Sequence, residues 1–129
     1  MGTKNFVEEP AMTREQAMEG IETGIKLVQE KMSDGYNVFL VGEMGISNTT
    51  ASALMTAKFA GLTAEEATGR GTNISDERLK LKQRIVHDVL VKYKDIPKDD
   101  AIGILAAVGG FEFTCIVGVI LGAAAHHCM

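Results

Sequence analysis

Asn37-Val-Phe-Leu-Val41, running into Gly42-Glu-Met-Gly-Ile-Ser-Asn-Thr-Thr50, is the stretch on which the fold turns. Its first part is a short apolar run bounded by Gly35 and Gly42. A run of that kind, without polar alternation, predicts a strand covered on both faces, as in a parallel sheet. Its second part places glycines where the backbone must turn, then Ser47, Asn48 and Thr49 where a helix can begin. Open α/β sheets place their ligands where a strand, a glycine loop and a helix N-terminus follow one another. Free amides and the helix dipole make such a terminus an anion site. The loop lacks the Gly-Lys-Ser/Thr of a triphosphate cradle, so a monophosphate suits it better. Glu43, in the same mouth, suits a ribose hydroxyl or a developing positive charge. A plain strand-to-helix turn, with Asn48 merely capping, accounts for the spacing equally well.

Helices surround this stretch. Thr13-Arg-Glu-Gln16 has capping-box spacing, and Met18, Ile21, Ile25, Val28 and Met32 recur as one apolar stripe, predicting a helix over Arg14 to Ser33 closed at Gly35. Ala51, Leu54, Met55, Ala57 and Phe59 predict a second helix ending at Gly61. Thr63-Ala-Glu-Glu66 repeats the capping-box spacing, and Thr68-Gly-Arg-Gly-Thr-Asn73 reads as a loop. Ser75 or Asp76 caps a helix carrying Leu79, Ile85, Val86, Val89, Leu90 and Tyr93, which stops before Pro97. Asp99 or Asp100 caps a short helix through Val108, broken by Gly109-Gly110. The last helix is apolar, with Gly118 and Gly122 one turn apart for close backbone approach.

One strand cannot satisfy its own two edges. The pattern therefore predicts an α/β, helix-dominated chain: a piece of a Rossmann-like parallel-sheet domain with one strand at about 37–41 and four or five helices. Residues 1–129 read as a single domain or fragment, and self-association into a homo-oligomer is expected.

Composition narrows the function. Thirteen Lys+Arg against seventeen Asp+Glu give a net charge of −4, which argues against a nucleic-acid partner. Cys115 and Cys128 make neither a disulfide scaffold nor a zinc pattern, pointing to a reduced, cytoplasmic setting. The first ten residues show no secretory signal. The run Phe111 to Ala125 is too short, and too interrupted by Glu112, to span a bilayer, so no membrane association is expected.

Three further passages sharpen the reading. Glu43-Met-Gly-Ile-Ser-Asn-Thr-Thr50, Thr68-Gly-Arg-Gly-Thr-Asn-Ile-Ser-Asp-Glu77 and Val108-Gly-Gly-Phe-Glu-Phe113 together resemble the nicotinate-nucleotide–dimethylbenzimidazole phosphoribosyltransferase family. Glu9-Pro-Ala-Met-Thr13 and Leu121-Gly-Ala-Ala-Ala125 extend the match along nearly the whole chain. The resemblance implies transfer of the 5-phosphoribosyl group of nicotinate mononucleotide to 5,6-dimethylbenzimidazole, giving the lower-ligand nucleotide of cobamides. It implies small-molecule substrates and no cofactor or metal. By motif position, Glu43 and Lys82 correspond to the family's active-site glutamate and lysine. Gly45, Ser47, Asn48 and Thr49 correspond to its nucleotide-phosphate loop, and Arg70 and Gly71 line the same pocket. Ser47 stands where many members have Gly. The family's benzimidazole pocket and its general-base glutamate belong to segments before and after the matched region, so the chain reads as the central segment. The alternative is a non-catalytic interaction or nucleotide-binding module derived from that family. Convergence of Glu43, Asn48 and Lys82 on one pocket is the structural expectation.

The remaining polar residues read as ordinary. His126-His127-Cys128 is too compact for a shared metal, and His87 reads as solvated or as a helix-face residue. Lys58, Lys80, Lys92, Lys94 and Lys98 read as solvated charge, and Glu112 as a carboxylate in a helix's first turn.

Overall fold

The computed structural model describes residues 2–46, 48–72 and 74–128. Six helices are present among them: α1 (Arg14–Ser33), α2 (Thr49–Ala60), α3 (Ala64–Ala67), α4 (Asp76–Lys92), α5 (Ala101–Val108) and α6 (Phe111–Ala125). No strand occurs among the described residues, which overturns the α/β assignment and its Rossmann-like sheet fragment. Residues 37–41 are extended but unpaired. No backbone–backbone hydrogen bond among the described residues reaches residues 37–44. Leu40 is 94% exposed, and Val38, Val41, Met44 and Ile46 are exposed with it. The cause is physical: a ladder needs a neighbouring strand, and the other described segments are helices and turns.

The helix boundaries follow their local chemistry. Thr13 opens α1 with a full capping box: the Gln16 amide donates to Thr13 Oγ1 at 3.1 Å, and the Thr13 amide to Gln16 Oε1 at 2.9 Å. Thr63 does the same for α3 through Glu66. Ser75 caps α4 and Asp100 caps α5 through the Gly103 amide. Gly61 ends α2 in the left-handed conformation, at φ +69°. The same ending at α6 falls to His127 at φ +54°, with the Cys128 amide donating back to Ala123 O at 2.9 Å. That pattern is a Schellman motif built without glycine.

Two apolar clusters share α5. Leu54 of α2, Val86 and Val89 of α4, and Ile104, Ala107 and Val108 of α5 form one. Met12, Ala17 and Ile21, with Leu105 and Ala106 of α5, form the other. The carbonyls of Ala106 and Ala107 accept from the Met12 and Ala11 amides, both at 3.0 Å, so the arm before α1 completes the C-terminus of α5. Arg14 Nη1 donates to both oxygens of Asp100, at 2.9 and 2.7 Å, tying the start of α1 to the cap of α5. That guanidinium, and then the Gly103 amide, hold the Asp100 carboxyl below its usual range.

α1 and α6 run parallel in close backbone contact. A Cβ on Gly20 would collide with Thr114 Oγ1, on Gly24 with Cys115 O, and on Gly118 with Ile21 O. Small residues four apart on both helices make the seam. The apolar stripe read from sequence is displaced accordingly. Met18 is exposed, and the buried set is Ala17, Ile21, Gly24 and Val28, because a backbone seam selects small side chains over large ones. Lys58 and Lys92 are not merely solvated. Lys58 Nζ donates to Tyr93 O and Lys94 O at 2.8 and 3.2 Å, and Lys92 Nζ to Val7 O and Glu8 O at 2.8 and 2.6 Å.

Replacing Gly24 or Gly118 by Ala should lower unfolding free energy by about 1–3 kcal/mol, since the added methyl meets backbone rather than a flexible side chain. Gly42→Ala, where a Cβ meets nothing within 4 Å, should leave the urea midpoint unchanged. Equal midpoints for all three variants would contradict the seam.

Candidate functional site

α2 and α4 are held together by cluster packing around Leu54 and Val86, and this sets where Lys82 can reach. Lys82 lies on the second turn of α4. Its Nζ donates to Thr49 Oγ1, on the first residue of α2, at 2.9 Å, and to Gly69 O at 3.3 Å. A single ammonium therefore joins the start of α2, the turn after α3, and α4. Burial pushes the Lys82 ammonium below its ordinary pKa.

Glycine makes the corner possible. Gly71 has φ +63°, and a Cβ there would stand 3.1 Å from Thr49 Oγ1 and 3.7 Å from Lys82 Nζ. Gly45 has φ +80°, turning the backbone ahead of α2. Asn48 occupies the N-cap position of α2 but makes no capping hydrogen bond, and its Nδ2 is buried without a partner among the described residues. The plain capping role open to Asn48 in the sequence is therefore not the one it fills. α2 also has no acidic residue in its first turn, so its N-terminal dipole is uncompensated there.

Lys82, Thr49, Asn48 and Gly71 thus meet at one corner. The other residues singled out from the sequence stand differently. Arg70 donates to Ile74 O at 3.0 Å and to the Asp76 carboxylate, so its guanidinium fastens its own loop rather than opening toward a ligand. The Glu43 carboxylate accepts from the Gly45 amide at 3.3 Å, on the exposed segment preceding α2. It shares no hydrogen bond or ion pair with Lys82 among the described residues. Ser47 lies outside the described residues. The apolar cavity lined by Leu54, Lys58, Val89, Tyr93 and Ile104 shares no residue with this corner.

Sequence reasoning passed over Thr68. Its hydroxyl is buried and has no partner among the described residues, one residue before the carbonyl that holds Lys82. Its signal was only that it opens the Gly-Arg-Gly passage. Glu112 lies in the first turn of α6 as expected, with its carboxylate folded over Gly110. No helix among the described residues is long and apolar enough to cross a membrane.

A lysine penalised by burial disfavours folding while it is charged in both states. The unfolded chain then binds the extra proton between the lowered and the ordinary pKa, so the penalty disappears as pH rises through that window. The Lys82 side chain, followed by NMR, should titrate below the ordinary lysine range. The stability of the wild type relative to Lys82→Met should increase as pH approaches that range; a flat difference would contradict the burial.

Comparison with known proteins identifies the family. The pattern of the phosphoribosyltransferase family matches residues 1–129. The chain is 47% identical over 125 residues to nicotinate-nucleotide–dimethylbenzimidazole phosphoribosyltransferase of Geobacter sulfurreducens, covering 97% of this chain and 35% of that protein. It is 44% identical over 125 residues to the enzyme of the same name from Dehalococcoides mccartyi strain BAV1, with the same coverage. The crystal structure of CobT from Thermus thermophilus superposes with a TM-score of 0.87 at 32% identity, over 98% of this chain and 37% of that one. The chain thus spans about a third of the length of the relatives it matches. Sequence, superposition and family pattern agree along its whole length, and it belongs to the phosphoribosyltransferase family of the nicotinate-nucleotide–dimethylbenzimidazole enzymes.

Proposed function

We propose that this chain carries the nucleotide-phosphate corner of a phosphoribosyltransferase acting on nicotinate mononucleotide, with 5,6-dimethylbenzimidazole as acceptor. The observation that carries the reading is the Lys82 contact to Thr49, 33 residues away, and to Gly69, which brings α4 and the Gly-Arg-Gly turn to the start of α2. An ammonium, free helix amides and the Asn48 amide group form a donor set for the 5′-phosphate. Thr49 positions Lys82 and Gly71 leaves room for it, while Gly45 turns the loop. Arg70 acts by bracing the Gly69–Gly71 turn.

In the proposed transfer, a benzimidazole nitrogen forms a bond to the anomeric carbon. The carbon–nitrogen bond to nicotinate breaks, its electron pair returns to the nicotinate ring nitrogen, and the N–H proton of the incoming base passes to water. Positive charge builds on the ribose between these events. Glu43, a carboxylate in the same passage, is the group we assign to stabilise that charge. Holding the phosphate fixes the sugar relative to it. The unpaired Cys115 and Cys128 accord with a reducing cytoplasm, and the exposed apolar residues Val38, Leu40 and Val41 accord with association into a homo-oligomer.

Nicotinate mononucleotide titrated into the chain should produce saturable heat. Lys82→Ala should weaken binding by at least about tenfold, the scale of one hydrogen bond to a charged group. Glu43→Gln should leave affinity within about twofold, since a charge that develops only in the transition state is not felt on binding. Binding that survives Lys82→Ala would remove the proposed corner.

A further inference from the structure

Asn48 Nδ2 and Thr68 Oγ1 are buried polar atoms without a hydrogen-bond partner among the described residues. Each belongs to the residue immediately before one that holds Lys82: Thr49 by its hydroxyl, Gly69 by its carbonyl. Thr68 is only 6% exposed, and its own amide is used, donating to Ala64 O at 3.1 Å. The hydroxyl alone is idle. Leaving it so destabilises the fold, and a valine of the same shape would relieve that cost.

The surroundings suggest what the hydroxyl is for. A Cβ on Gly69 would meet no atom within 4 Å, and Gly71 carries the chain past Lys82 with no side chain of its own. Thr68 therefore leads into a turn whose one side chain, Arg70, bends back to Ile74 and Asp76, and whose Gly69 carbonyl accepts from Lys82. Lys82, the Asn48 amide group and the Thr68 hydroxyl are three separate donors, and the N-terminal amides of α2 add more. That number suits the three terminal oxygens of a phosphomonoester better than the two of a carboxylate.

We propose that Thr68 is a specificity-determining residue, its hydroxyl kept unpaired in the free chain to bond, directly or through one water, the phosphomonoester that Lys82 neutralises. The proposal rests on the nucleotide site described above and adds a group to it. It predicts that stability and affinity move in opposite directions. Thr68→Val should raise the melting temperature yet weaken nicotinate mononucleotide binding at least fivefold. Thr68→Ser, which loses a buried methyl but keeps the hydroxyl, should melt lower and bind within twofold of the wild type. Nicotinate riboside, lacking the phosphate, should bind the wild type and Thr68→Val equally.

Titration calorimetry and thermal melts on the full chain and both variants test this. If Thr68→Val binds the mononucleotide within twofold of the wild type, or melts below it, the assignment is overturned while the Lys82-dependent site stands. An equal loss for the riboside overturns the phosphate assignment. No binding by the wild type overturns both readings.

Discussion

An eight-residue helix cannot hold itself together in water, because one turn's nucleation cost is spread over too few hydrogen bonds. Yet α5 is the element that both apolar clusters share, with Gly103 to Val108 all buried. It persists because its ends are completed from elsewhere. Asp100 caps its start and is itself gripped by Arg14; the Ala11 and Met12 amides take its last free carbonyls. The helix thereby fixes the N-terminal arm, α1, α2 and α4 relative to one another. A buried polar backbone that had to find partners has organised the segments that supply them.

The candidate site depends on this arrangement at one remove. Leu54 and Val86 pack in the cluster that α5 completes, and their packing sets the separation of α2 and α4. Lys82 spans that separation to reach Thr49, so the corner is a by-product of core packing rather than of the loops alone. A desolvated ammonium is unfavourable there, which is why its hydrogen bonds to Thr49 and Gly69 matter. The idle Asn48 and Thr68 groups make the same place costlier still. Violations of packing and polar satisfaction gathered at one corner are what a binding site leaves in a fold.

Much of this was legible in the residues. Thr13, Thr63, Ser75 and Asp100 announced helix starts because capping is chemistry between neighbours in the chain, and Gly35 and Gly61 announced the ends. The Gly118/Gly122 pair correctly foretold close backbone approach. The register of α1 was less legible: Met18 looked like core, but the partner helix presents backbone, and only the pairing reveals that Ala17 and Gly24 face it. Residues 37–41 misled for a related reason. Their composition is that of a doubly covered strand, but covering is supplied by neighbours, and no local pattern states whether they are there. Lys82 was singled out through motif resemblance alone, and Asn48 through its place at a helix start as well. Thr68 was missed because an unsatisfied hydroxyl is a property of packing, invisible in a string.

The two halves of the proposed chemistry consequently rest on different foundations. Lys82 and Thr49 are anchored on packed helices, and Gly71 lies in a turn braced by Arg70 through Ile74 and Asp76. Glu43 sits instead within a segment whose backbone makes no ladder, with Met44 81% exposed beside it. Anchored groups bind without reorganising, whereas a carboxylate that must stabilise a fleeting charge contributes fully only when its backbone is equally fixed. The phosphate contacts proposed for this corner are thus the ones whose side chains the packing already holds in place. The assistance proposed for Glu43 depends instead on how firmly the unpaired run from Asn37 to Val41 holds its backbone, and Leu40 stands exposed within that run.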